Sequence, residues 1–183
     1  MTVSIKKLVL SAMFLSLGLL LPFLTIQIPE IGKALLPMHI PVILCGFICG
    51  WQYGFAVGFI TPLLRSAVFG MPVMYPTAFA MAFELAAYGL MCGLMYKVLP
   101  KKKAYVYPAL VISMIAGRAV YGAVMFVLSG ISANINYGFS AFLSGTVLTA
   151  VPGILLQLVL IPIIIIALES AHLVPVKGRQ RQP

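Results

Sequence analysis

Hydrophobic residues run along this chain in long blocks, and polar residues collect in the short stretches between them. A first apolar block, about Ile5 to Leu24, is stopped by Pro22 and the polar stretch Thr25–Lys33. A second, Leu35–Ile48, contains Pro37 and Pro41. It is short for a bilayer crossing, which takes about 20 residues, so it reads as kinked, tilted or partly inserted. Gly50–Tyr53 reads as a tight turn. The third block runs from about Gly54 to Phe69 and ends at Gly70-Met71-Pro72. Pro76 opens the fourth, Thr77–Leu99, and Pro100 with three lysines separates it from the fifth, Tyr105–Leu128. The polar segment Ser129–Ser140 precedes the sixth, Ala141–Leu168, which holds Pro152 and Pro162. The pattern predicts an all-α integral membrane protein, a six-transmembrane-helix bundle over residues 1–172 with a basic cytoplasmic tail over 173–183.

Composition agrees. The 183 residues are 62% hydrophobic and 8% charged, against roughly 25% charged in soluble domains. Such a chain cannot offer water a polar surface. The apolar run after Lys6 and Lys7 is too long for the core of a cleavable signal and lacks an obvious small-residue cleavage site. The net charge of +9 lies largely in Lys6–Lys7, Lys101–Lys103 and the tail residues Lys177, Arg179 and Arg181. Basic clusters beside spans set orientation, so nucleic-acid binding is not expected. With six spans, both termini and the lysine loop fall on one side, read as cytoplasmic. Thr25–Leu36, Gly70–Tyr75 and Ser129–Ser140 then face outside. The expected location is a plasma membrane.

Three ionisable residues break the apolar blocks: Arg65, Glu84 and Arg118. Charges inside a bilayer cost upward of about 2.5 kcal/mol each and usually face a protein interior or a watery cavity. Spacing of four puts Tyr88 on the face of Glu84, and spacings of three, four and seven put Tyr121, Gly122 and Met125 on that of Arg118. Gln157 lies mid-span in the sixth block, and His39 sits between Met38 and Pro41. One reading is a structural ion pair of Glu84 with one arginine. The other is a binding site, because one glutamate cannot neutralise two arginines, and an anionic ligand would supply the missing charge through a bidentate contact. A third possibility sends Arg65 outward to the interface and leaves a neutral Glu84–Arg118 pair. Tyr75, Asn134, Asn136 and Tyr137 lie in outside loops; Tyr75 is a candidate ligand contact, and the other three read either as a lid over a ligand or as solvated turns.

Small residues recur at spacings of four: Ala12 and Ser16, then Gly50, Gly54 and Gly58, then Ala82 and Ala86. Such spacing lets helices approach closely, inside the bundle or against another subunit. Cys45, Cys49 and Cys92 lie within spans. Cys-x3-Cys alone is a weak metal signal, so they read as packing residues and no metal site is expected. The chain carries no Gly-rich phosphate loop, no His-Glu-x-x-His and no Gly-x-Ser-x-Gly, which argues against an enzyme.

The stretch Leu35-Leu-Pro-Met-His-Ile-Pro-Val-Ile-Leu-Cys-Gly-Phe-Ile-Cys-Gly50, with Gly54-x3-Gly58-Phe-Ile-Thr-Pro-Leu-Leu-Arg65 and Met81-Ala-Phe-Glu84-Leu-Ala-Ala-Tyr88-Gly89, resembles the substrate-binding S components of energy-coupling factor (ECF) transporters. The resemblance implies a six-helix bundle whose pocket opens outward, covered by the loops after spans one, three and five. It implies a small vitamin-like ligand bound without ATP, a transmembrane coupling subunit, and two ATP-binding subunits that carry the only nucleotide. It implies docking through the first helix, where Ala12 and Ser16 match the family's small-xxx-small motif with serine in place of the usual second alanine. It also implies toppling in the membrane to release ligand inside. The family's ligands are diverse; the surplus arginine points to an acid, with pantothenate as the suggestion. A self-sufficient transporter or channel using Glu84 as a proton carrier, and a ligand-free assembly subunit, are the competing readings.

Overall fold

The computed structural model describes residues 4–24, 35–99, 105–131, 138, 144 and 150–170. Among them there is no strand, and the chain runs through α1 (Ile5–Leu24), α2 (His39–Cys49), α3 (Trp51–Phe69), a π-helical turn (Met74–Ala78), α4 (Phe79–Val98), α5 (Val106–Ile131) and α6 (Val151–Ser170). Four described helical stretches are long and apolar enough to cross a bilayer: Ile5–Phe23, Met74–Val98, Val106–Ile131 and Val151–Leu168. The protein is therefore an all-helical membrane protein. The other two helices differ from them for separate reasons. At 11 residues, α2 reaches about half the thickness of a hydrocarbon core at 1.5 Å per residue. At 19 residues, α3 is long enough, but Gln52, Arg65 and Ser66 dilute its apolar character.

Boundaries follow local chemistry. The expected four-residue turn at Gly50–Tyr53 shrinks to Gly50 alone. Its φ of 102° lies where a side chain is strained and glycine is not. A second glycine, Gly70, closes α3 at φ 70° and donates its N–H to the Ser66 carbonyl, a left-handed helix end. The fourth span gains the π-helical turn in front of Phe79. The fifth continues to Ile131, through Ser129, whose hydroxyl donates to the Phe126 carbonyl at 2.8 Å. Of the sixth, Val151 onward is described, and Pro152 falls in the first helical turn, where its missing N–H costs no helix bond.

The shortest helix is the most enclosed. Nine of the 11 residues of α2 are buried, and Val42, Ile43 and Cys45 have no exposure at all. The core around them takes Phe14 from α1, Val57 from α3, Leu85 and Cys92 from α4, Leu110 and Met114 from α5, and Ile161 and Ile165 from α6. By contrast, large apolar side chains of α1, α5 and α6 face outward, among them Leu8, Leu20, Ile115, Phe126, Val159 and Ile163. Lipid is as apolar as these side chains, so helix association rests on close packing rather than on escape from water. Glycines supply that packing between α2, α3 and α4. A Cβ on Gly46 or Gly54 would strike the backbone of Gly89, one on Gly58 the Leu85 carbonyl, and one on Gly93 the backbone of Trp51.

Candidate functional site

Three helices bring four of the candidate residues together. His39 opens α2, Glu84 and Tyr88 lie one turn apart on α4, and Arg118 sits at the middle of α5. Arg118 Nη1 stands 3.0 Å from Glu84 Oε1, and His39 Nε2 stands 3.5 Å from the same oxygen. Glu84 and His39 are each 1% exposed. The Tyr88 ring meets His39 edge to face, with centroids 5.2 Å apart. Tyr88 reaches this position because residue 117 is glycine: a Cβ there would collide with the phenol ring. The carboxylate thus serves two cationic or cation-capable groups through one oxygen, and Tyr88 walls the cluster on one side.

The hydrogen bonds inside the cluster are incomplete. Both ring nitrogens of His39, Oε1 of Glu84, and Nε and Nη2 of Arg118 are buried with no hydrogen-bond partner in the structure. The Glu84–Arg118 contact is therefore a close approach of charges without an aligned bond. Buried polar atoms left unpaired cost roughly 1–3 kcal/mol each, more when charged, so a cluster this open is poor as a purely structural device.

The remaining candidates stand elsewhere. Arg65 is buried, but its Nη1 donates to the Leu19 carbonyl of α1 at 2.5 Å, and its guanidinium lies 4.9 Å from the Phe23 ring and 5.7 Å from that of Phe69. It is the third possibility above in modified form: the arginine leaves Glu84 to Arg118 and spends its charge on a carbonyl and two aromatic faces. The charge count that called for an acidic ligand accordingly does not hold as a count. Gln157 is buried on α6 with its Nε2 unpartnered. Tyr121 packs with Ala80, Met125 and Leu128 between α4 and α5. Tyr75 is half exposed in the π-helical turn. Asn134, Asn136 and Tyr137 lie outside the described residues, as do the lysine loop and the basic tail.

Ala12 and Ser16 are exposed on the outer face of α1, and Ser16 Oγ donates to the Ala12 carbonyl at 3.0 Å. The hydroxyl is thereby satisfied within the helix, and the pair forms a small-residue notch between the exposed Met13 and Leu17. The opposite face of α1 packs inward through Ser11, Phe14 and Gly18. Cys45, Cys49 and Cys92 are free and buried. Among the described residues no three His, Cys, Asp or Glu side chains gather as a metal-holding group. A groove of about 300 Å³ between α4 and α5 is lined entirely by apolar side chains, including Phe79, Phe83 and Val127, and offers a polar metabolite nothing to bond.

Sequence reasoning missed Gly117 and the aromatic setting of Arg65. Phe69 follows Arg65 by four residues, a spacing that signals a cation over a ring on one helix face; Phe23 comes from a distant helix and carries no such signal.

The family model for the substrate-specific component of ECF transporters matches residues 6–165. No curated protein and no solved structure matches the chain. The match takes in every helix that builds the His39–Glu84–Arg118 cluster and the small-residue face of α1, and it makes this chain a member of the ECF transporter substrate-specific components, transport subunits of the membrane.

Proposed function

We propose that this chain captures a water-soluble vitamin or related small metabolite at the outer side of a prokaryotic plasma membrane and hands it to an ECF-type importer. The observation that carries the proposal is the buried His39–Glu84–Arg118 cluster, whose unpaired donors suit a polar occupant, in a chain that belongs to a substrate-binding family. Both termini are cytoplasmic in this reading, and α2 with α3 completes a six-span bundle whose pocket opens outward. The Ala12–Ser16 face docks on a transmembrane coupling subunit. Two ATP-binding subunits supply the energy, and toppling of the loaded bundle releases ligand inside. The chain itself needs no cofactor.

The test separates capture from delivery. Purified protein in lipid nanodiscs is screened against a vitamin panel by native mass spectrometry without ATP; tight, one-to-one binding of a single metabolite is expected. Ala12→Phe should leave that binding unchanged and abolish uptake by cells carrying the whole transporter. Uptake into vesicles containing this chain alone would overturn the division of labour.

A further inference from the structure

Resting on the capture reading, we propose that the ligand is a monocarboxylate, gripped side-on by Nε and Nη2 of Arg118 with His39 as an additional donor. The geometry of the guanidinium carries this. Its five N–H groups form a rigid, planar fork, and two neighbouring N–H groups on one edge match the two oxygens of a carboxylate. Glu84 stands against Nη1. The opposite edge, Nε together with Nη2, is the complete pair left unpartnered, and both of its atoms are buried. Glu84 acts as a positioning residue. By holding Nη1 it fixes the rotation of the fork about the side chain and directs the free edge away from itself.

The neighbouring donors agree with an acceptor-rich ligand. Among the described residues the acceptors against them are Glu84 Oε1, which already faces both Arg118 and His39, and the Tyr88 hydroxyl beside Arg118, which is a donor as well. A ligand group with two acceptor oxygens satisfies Nε and Nη2 at once, whereas a primary amide offers a single acceptor and turns its own donors toward donors. Charge sets the upper limit. Glu84 offsets Arg118, so one added carboxylate leaves a single negative charge. His39 faces Glu84 and Tyr88 from α4 and, across Glu84, Arg118 from α5. A phosphomonoester would bring more charge than this group can offset, beside a carboxylate that repels it. The free edge is closed off from solvent in this structure, so the ligand reaches it through a local opening of the bundle.

Matched pairs test the assignment: pantothenate against panthenol, nicotinate against nicotinamide, and biotin against biotin amide, titrated into the wild-type chain in nanodiscs. At least one acid should bind about tenfold or more tightly than its neutral partner, the scale of a charge-assisted bidentate contact. Arg118→Lys keeps the charge and loses the fork, so it should erase that preference; a merely structural Arg118 would lower both affinities and leave their ratio intact. A wild-type chain that binds a neutral partner as well as its acid overturns the carboxylate assignment even if Arg118→Lys does not fold. Binding of an uncharged or cationic vitamin alone, from a wider panel, overturns it too while capture stands. Silence across the whole panel counts against capture itself.

Discussion

Arg65 on α3 and Arg118 on α5 pose the same physical problem, a guanidinium inside an apolar bundle, and meet opposite surroundings. Arg65 is closed on several sides by the Leu19 carbonyl and the rings of Phe23 and Phe69. Among the described residues Arg65 forms no ion pair, and the arrangement ties α1 to α3. Arg118 faces Glu84, with His39 across the carboxylate and the Tyr88 hydroxyl nearby, and its Nε–Nη2 edge makes no aligned hydrogen bond. A side chain that is merely tolerated is surrounded until its donors and its charge are accommodated; one kept for a ligand retains donors that the protein declines to satisfy. Burial alone does not separate the two cases, because both arginines are largely covered. What separates them is which atoms remain unpaired.

The largest effect should come from removing the counter-charge. Glu84→Ala leaves Arg118 as an uncompensated buried cation and should destabilise the bundle by about 3–5 kcal/mol, read as thermal unfolding in nanodiscs. A change within about 0.5 kcal/mol, the scale of a surface substitution, would mean that Arg118 has another counter-charge and would break the contrast. Next is the glycine seam that holds α4 in register with α3. Gly89→Val forces a branched side chain into the Gly54 backbone and should cost about 1–3 kcal/mol by overpacking. A tolerated valine would show that the helices separate more readily than their contact implies.

Arg65→Met keeps an apolar stem and deletes the guanidinium. The loss should be about 0.5–2 kcal/mol, the range of cation–π contacts, and ligand selectivity should not move. A selectivity change at Arg65 would place both arginines in one site and remove the distinction. The smallest expected quantity is a coupling. Arg65 and Glu84 share no partner among the described residues, so the double variant Arg65→Met with Glu84→Ala should be additive within about 0.3–0.5 kcal/mol. A larger coupling would reveal a link through the α3–α4 seam that the contacts do not display.

Much of this was readable along the chain, for a reason particular to membrane proteins. A bilayer demands long apolar helices and penalises interior charge, so block lengths announce helices and misplaced charges announce themselves. The first apolar block, Ile5–Leu24, coincides with α1. Glu84, Tyr88 and Arg118 were legible as a polar constellation because an i, i+4 spacing and a charge inside an apolar block are one-dimensional facts. His39 was harder, since a lone histidine at a helix start has many uses; its place beside Glu84 depends on how α2 packs against α4. Gly117 was invisible, because its role exists only relative to the Tyr88 ring on another helix. The glycines at 54 and 58 were visible as a stripe, while their partners, Gly89 and Leu85, had to be supplied by the fold.

The amino-acid order by itself determined that this chain is a helical membrane protein with a small set of interior charges, because hydropathy and spacing are properties of neighbours along the chain. Only the tertiary structure decided which arginine Glu84 faces. An ion pair is set by distances of a few ångströms between side chains on different helices, and the Glu84–Arg118 distance follows from how α4 meets α5, where Gly117 admits the Tyr88 ring. The packing of α1 on α3 sends Arg65 to the Leu19 carbonyl and the rings of Phe23 and Phe69, and one edge of Arg118 is left without a hydrogen bond.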